Sequence, residues 1–114
     1  MSESQLQQSM VKWFRYKYPE YTLMAIPNGH KRNAITGAIL KREGVVAGVS
    51  DLFLMKANKD FHGLWIEVKL DKGKQSESQK EFEGKALREG YSYVICKSTD
   101  HFIEVVTNYI NDNN

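Results

Sequence analysis

Two apolar stretches, "GVSDLFLM" and "LWIEVKL", carry three charged residues where a buried strand should have none: Asp51, Glu67 and Lys69. Period-two alternation in the second stretch puts Leu64, Ile66, Val68 and Leu70 on one face and Trp65, Glu67 and Lys69 on the other. If the two stretches form an antiparallel pair turning near Asp60, Asp51 lies opposite or beside Lys69 and close to Glu67. Cross-strand neighbours have Cβ atoms roughly 5 Å apart. Two carboxylates at that spacing repel by about 3 kcal/mol at an effective dielectric near 20, and one ammonium offsets only part of it. A hard divalent cation would offset more, since magnesium takes one or two carboxylates and completes its shell with waters and phosphate oxygens. The competing reading is a solvated salt bridge of Lys69 with Asp51 or Glu67, which would stabilise little.

The elements that must present these residues follow from punctuation and periodicity. "SESQLQQSMVKWFRYKYP" reads as an amphipathic first helix, with Ser2 and Gln5 as a capping box, Leu6, Met10, Trp13 and Phe14 on one stripe and Pro19 as its stop. "YTLMAIP" is a short strand, and "NGHKRN" carries a turn signal. "AITGAILKREG" reads as a short helix, capped by Asn33 and ended by Gly44. Strands over 50–56 and 64–70 follow, joined by "ANKDFHG". A crossover helix comes next, with Ser76 and Gln79 as a second capping box and Phe82, Ala86 and Leu87 as its buried stripe. "YSYVICKS" is a fourth strand, and "TDHFIEVVTNYI" a last helix turning Phe102, Val105, Val106, Tyr109 and Ile110 inward. The predicted fold is therefore α/β in the order α-β-(α)-β-β-α-β-α, a mixed four-stranded sheet flanked by helices, with a parallel crossover near its end.

A chain of 114 residues fits one compact domain, 1–114, with a radius of gyration of about 13 Å. It shows neither a signal-peptide core nor a run of roughly 20 apolar residues, so no membrane partner is expected and the expected location is intracellular, in the cytoplasm. The single cysteine, Cys96, sits in an apolar run and reads as a small buried hydrophobe. A net charge of +2 says little by itself, but the basic residues concentrate before Ser50. His30, His62 and His101 lack metal-ligand spacing.

The order Asp, then a strand ending Glu-x-Lys, resembles the PD-(D/E)XK nuclease superfamily, with Asp51 as the lone acid and Glu67, Val68 and Lys69 as the E-x-K. More of the chain is similar to one branch, the stand-alone, phage-type VRR-NUC family. It has an early helical Glu, "IPNGHKR" after the first strand, "GVVAGVSDLF" where that family tends to show Gly-Val-Pro-Asp, and a crossover-helix Gln, together spanning about residues 3–98. Ser50 stands where the family usually has Pro, which bears on how rigidly Asp51 is presented.

This resemblance implies a restriction-endonuclease-like core and a Mg²⁺- or Mn²⁺-dependent deoxyribonuclease. Asp51 and Glu67 would ligate the metal, the Val68 carbonyl would add an oxygen, and Glu3 would reach it directly or through water. Lys69 would orient or activate the attacking water, and Gln79 would support the site. Asn28, His30, Lys31 and Arg32 would then contact DNA phosphates, with Lys41 and Arg42 extending the track. The implied substrate is branched DNA such as a four-way (Holliday) junction, whose approximate two-fold symmetry favours a homodimer of so small a domain. Two alternatives stay open: a nuclease-like fold that binds DNA or a partner without cutting, and a nuclease acting on flap, nicked or linear DNA.

Overall fold

The computed structural model describes residues 1–27 and 34–112. Its elements are α1 (Glu3–Lys17), β1 (Leu23–Ala25), α2 (Ala34–Arg42), β2 (Leu52–Leu54), β3 (Leu64–Val68), α3 (Glu77–Arg88), β4 (Ser92–Cys96) and α4 (Thr99–Ile110). The order matches that read from the sequence. The sheet runs β1-β2-β3-β4, antiparallel at the first two contacts and parallel between β3 and β4, with α3 as the connection across the parallel pair. Among the described residues, no helix is long and apolar enough to cross a membrane.

One face of the sheet is the main core. Leu6, Met10 and Phe14 of α1, spaced four apart, and Phe102, Val106 and Tyr109 of α4 pack there against Leu52, Leu54, Leu64, Ile66, Val68 and Cys96. A hydroxyl pair, Ser9 Oγ and Thr99 Oγ1 at 2.8 Å, ties the two helices. Ser2 caps α1 as expected: its Oγ accepts from Gln5 N at 3.1 Å, and Gln5 Oε1 accepts from Ser2 N at 2.8 Å. Burial pushes the Cys96 thiol up to about 12, so it remains a protonated apolar filler.

An aromatic layer covers part of the opposite face. Phe53 and Trp65, cross-strand partners, have ring centroids 4.4 Å apart, and Phe82 of α3 meets Trp65 edge-on at 5.0 Å. Such contacts contribute about 1 kcal/mol each beyond the area they bury. They also fix the height of α3 over the end of β3.

Several expectations differ in detail. Leu87 is 50 % exposed because the stripe facing the sheet runs from Phe82 to Ala86, and the next residue is rotated by about 100° toward solvent. Leu70 is 37 % exposed, since β3 ends at Val68 rather than at 70. β2 is likewise shorter than 50–56. At this end of the pair the Val68 amide is bonded by the Asp51 side chain, so a carboxylate occupies the donor a longer ladder would use. Gly44, at φ 105°, closes the turn after α2, where Val45 N returns to Leu40 O at 3.0 Å. The Asn28-Gly29 turn and the Asn33 cap lie outside the described residues.

Candidate functional site

Asp51 and Glu67 meet at the end of the β2–β3 pair. Phe53 faces Trp65 and Leu52 faces Ile66, a register that, carried on by one residue, sets Asp51 across from Glu67. The expected pairing of Asp51 with Lys69 is therefore off by two residues along β3, because the hairpin is centred one residue earlier than Asp60. The alternation survives the correction: Asp51, Phe53, Trp65 and Glu67 share the face toward α3.

Backbone and side-chain bonds hold both acids. Asp51 Oδ2 accepts from Val68 N at 2.7 Å, while the Asp51 carbonyl accepts from Ile26 N at 2.9 Å and so fixes the residue between β1 and β3. Glu67 is 3 % exposed. Its Oε2 accepts from Gln79 Nε2 at 2.8 Å and lies 3.9 Å from Lys69 Nζ. With both acids ionised its buried Oε1 has no hydrogen-bond donor among the described residues, and only a proton held between Glu67 and Asp51 would give it one. Burial pushes the Glu67 carboxyl from its ordinary 4.5 up to about 8; the charge of Asp51 and a hydrogen bond shared with it push the same way, Lys69 opposes them, and Glu3 adds a little. Lys69 and Glu67 do form an ion pair, but it is buried rather than solvated, and it offsets only part of what raises the Glu67 carboxyl.

Gln79 serves both functions read for it from the sequence, and with one side chain. Its Oε1 accepts from Ser76 N at 2.8 Å, completing the α3 capping box, while its Nε2 holds Glu67. One amide therefore locks the helix start to the acid. Gly48 secures the arrangement from outside: at φ 86° its backbone lies so close to α3 that a Cβ would sit 2.2 Å from Ser78 O. Sequence reasoning passed over Gly48, although a glycine among the valines of "GVVAGVSD" signals a close backbone approach.

A second unexpected feature lies behind the acids. Ser50 is fully buried, and among the described residues its Oγ makes no hydrogen bond of good geometry. Tyr93 beside it is raised above its ordinary value, chiefly by burial, and accepts from Gln75 Nε2 at 3.1 Å; the same Gln75 amide donates to Glu83 at 2.8 Å. No signal in the sequence linked these residues.

Asp51, Glu67, Lys69, Gln79 and Glu3 line one cleft of about 870 Å³. Glu3 is exposed at the start of α1. Lys41 also lines the cleft; Arg42 is exposed but is not among the lining residues. Asn28, His30, Lys31 and Arg32 lie outside the described residues. His62 packs against Gly90 and Tyr91, and His101 is exposed at the start of α4.

The donor set suits a hard cation. An unpartnered buried carboxylate oxygen beside a second carboxylate is a costly arrangement that a divalent ion would stabilise. Among the described residues no three His, Cys, Asp or Glu side chains enclose a common point. A two-carboxylate site that leaves most positions to water and substrate oxygens fits magnesium or manganese better than zinc.

The family model for the VRR-NUC domain matches residues 1–100. A solved structure titled "VRR_NUC domain protein" superposes with a TM-score of 0.80 and 29 % identity, covering 97 % of this chain and 89 % of the other. No curated protein matches the chain.

Proposed function

The chain belongs to the VRR-NUC domain family, a nuclease-like family that generally uses divalent metal ions, and from that premise we propose that it is a metal-dependent endonuclease hydrolysing DNA phosphodiester bonds. The observation carrying this reading is the buried, unpartnered Glu67 Oε1 set against Asp51 on the wall of an open cleft. In this reading residues 1–114 act as one nuclease domain on branched DNA such as a four-way junction, as a homodimer and in the cytoplasm. Two-fold symmetry of the junction supports the dimer, since paired cuts need two sites.

Asp51 and Glu67 would hold Mg²⁺ or Mn²⁺, with the Val68 carbonyl as a further oxygen and Glu3 reaching the ion directly or through water. Bound there, such an ion supplies Lewis-acid polarisation of the phosphate and lowers the pKa of water. The protein residues do the rest. Gln79 holds Glu67 by Oε2 and leaves Oε1 free to ligate. The Val68 amide orients Asp51 by Oδ2. Lys69, only 14 % exposed, places a fixed positive charge where negative charge grows on the phosphate, and its N–H groups can orient the attacking water. In the net reaction the water oxygen bonds to phosphorus, one bridging P–O bond breaks, and a water proton reaches the departing sugar oxygen by way of solvent.

The test is a substrate panel. Labelled four-way junction, flap, nicked duplex, linear duplex and single strand are incubated with the protein in magnesium, manganese or chelator, and the cuts are mapped. Metal-dependent, symmetric incision of the junction is the expected result. Preferential cutting of flap or linear DNA would keep the enzyme and replace its substrate; binding without cutting of any DNA would overturn the endonuclease reading.

A further inference from the structure

Asp51 and Glu3 stand on the boundary between two clefts. Besides the one described, a second of about 840 Å³ runs from them along α1, lined by the apolar Val11, Ile26 and Pro27 and by the exposed Lys12 and Arg15. Its polar lining continues through Gln8, whose side chain bonds Ser4, so successive turns of one helix face point hydrogen-bonding or cationic groups along the same groove. After Glu3, α1 carries no acidic residue, while Lys12, Arg15 and Lys17 are all basic. Lys12 and Arg15 are exposed, and among the described residues neither has a carboxylate partner. Two cations without partners, lining a groove that ends on the acids, are complementary to a polyanion.

We infer that this groove binds one arm of the DNA backbone beyond the scissile phosphate, with Lys12 and Arg15 as its phosphate contacts. The inference rests on the endonuclease reading above and adds a second limb to the track, joined at Glu3 and Asp51 to the cleft that holds Lys41. Its length is suitable. From Glu3 to Arg15 the helix rises about 18 Å at 1.5 Å per residue, enough for about five nucleotide steps at 3.4 Å per step along one strand. DNA would thus cross the acids with a basic contact in each cleft, which holds the phosphate between them against displacement along the strand. The apolar lining has the character to pack against sugar rings, while the cations read no sequence.

The test compares the salt dependence of DNA affinity, in EDTA so that nothing is cut, for the wild-type chain, K12Q/R15Q and a control, K59Q/K85Q, which removes the same charge from exposed sites lining neither cleft. The probes are a labelled four-way junction and a labelled linear duplex. Loss of two phosphate contacts should lower the slope of log K against log salt by about 1.8, at about 0.9 per contact, while the control keeps the wild-type slope. An unchanged slope in K12Q/R15Q, or an equal drop in the control, would overturn the α1 groove and leave the endonuclease reading standing. Failure of the wild-type chain to bind either probe would overturn the groove alone, because the endonuclease reading is decided by the metal-containing cleavage panel above. Circular dichroism of each variant checks that the exposed substitutions leave the fold intact.

Discussion

Glu67→Gln should make the metal-free protein more stable, and the gain should grow with pH. In the native state Glu67 is 3 % exposed, has one oxygen without a donor among the described residues, and has its carboxyl pushed from 4.5 up to about 8. A carboxyl whose folded pKa is raised binds a proton in the native state that the unfolded chain has already lost. Stability contributed by that proton is complete below about pH 4.5 and declines as pH rises toward about 8. The limiting slope is about 1.4 kcal/mol per pH unit, which sets a ceiling of roughly 4 to 5 kcal/mol over that interval. Sharing of the proton with Asp51 and the charge of Lys69 lower the realised figure, and we expect about 2 kcal/mol at pH 8.5. Glutamine has the same shape, can still accept from Gln79 and can donate toward Asp51, so it removes the ionisation cost without opening a cavity. Thermal melts in EDTA at about pH 5 and pH 8.5 read the effect: near coincidence of the two proteins at the lower pH, and a rise in Tm of about 8 °C for the variant at the higher. A wild-type protein whose stability is flat across this range, or a variant less stable at pH 8.5, would refute the reasoning.

Other expectations follow from the same geometry. Magnesium or manganese should raise the wild-type Tm more at pH 8 than at pH 6, with proton release on binding, because Glu67 must ionise to ligate; calorimetry in buffers of different ionisation enthalpy reads the proton, and Asp51→Asn should abolish both effects. Lys69→Ala should lower kcat by about a hundredfold with little change in KM, since its charge acts where negative charge develops; single-turnover kinetics checks the split. Gly48→Ala should cost about 1 to 3 kcal/mol, since it combines a positive φ with a 2.2 Å approach to Ser78 O, and should also slow cleavage by moving the start of α3 and with it Gln79; denaturant melts and the cleavage assay read the two effects.

The eight elements were legible because their signals are local. Two capping boxes, Pro19, Gly44 and the four-residue spacing of Leu6, Met10 and Phe14 place helices without tertiary information. Register was less legible, since a turn position can shift by one residue without any change in composition, and that shift exchanges Lys69 for Glu67 as the partner across from Asp51. Strand ends were hidden for a related reason: a side chain that captures a ladder amide, as Asp51 does at Val68, looks in sequence like any charged residue. The types at the candidate site could be read in advance, but its polarity depends on depth. Only the fold shows that Lys69 stays 3.9 Å from Glu67 while one carboxylate oxygen has no hydrogen-bond donor among the described residues. Gln79 illustrates the limit well, since its cap and its carboxylate support are separate readings in one dimension and one bonded unit in three.

The most direct measurement is an anomalous-scattering map from crystals of the protein grown with Mn²⁺ and an uncleaved DNA phosphodiester. A strong peak bonded to one oxygen of Asp51 and to Glu67 Oε1, with a phosphate oxygen on the same ion, is the predicted result. Manganese bound away from both carboxylates, while the protein in solution still cuts DNA, would contradict the account.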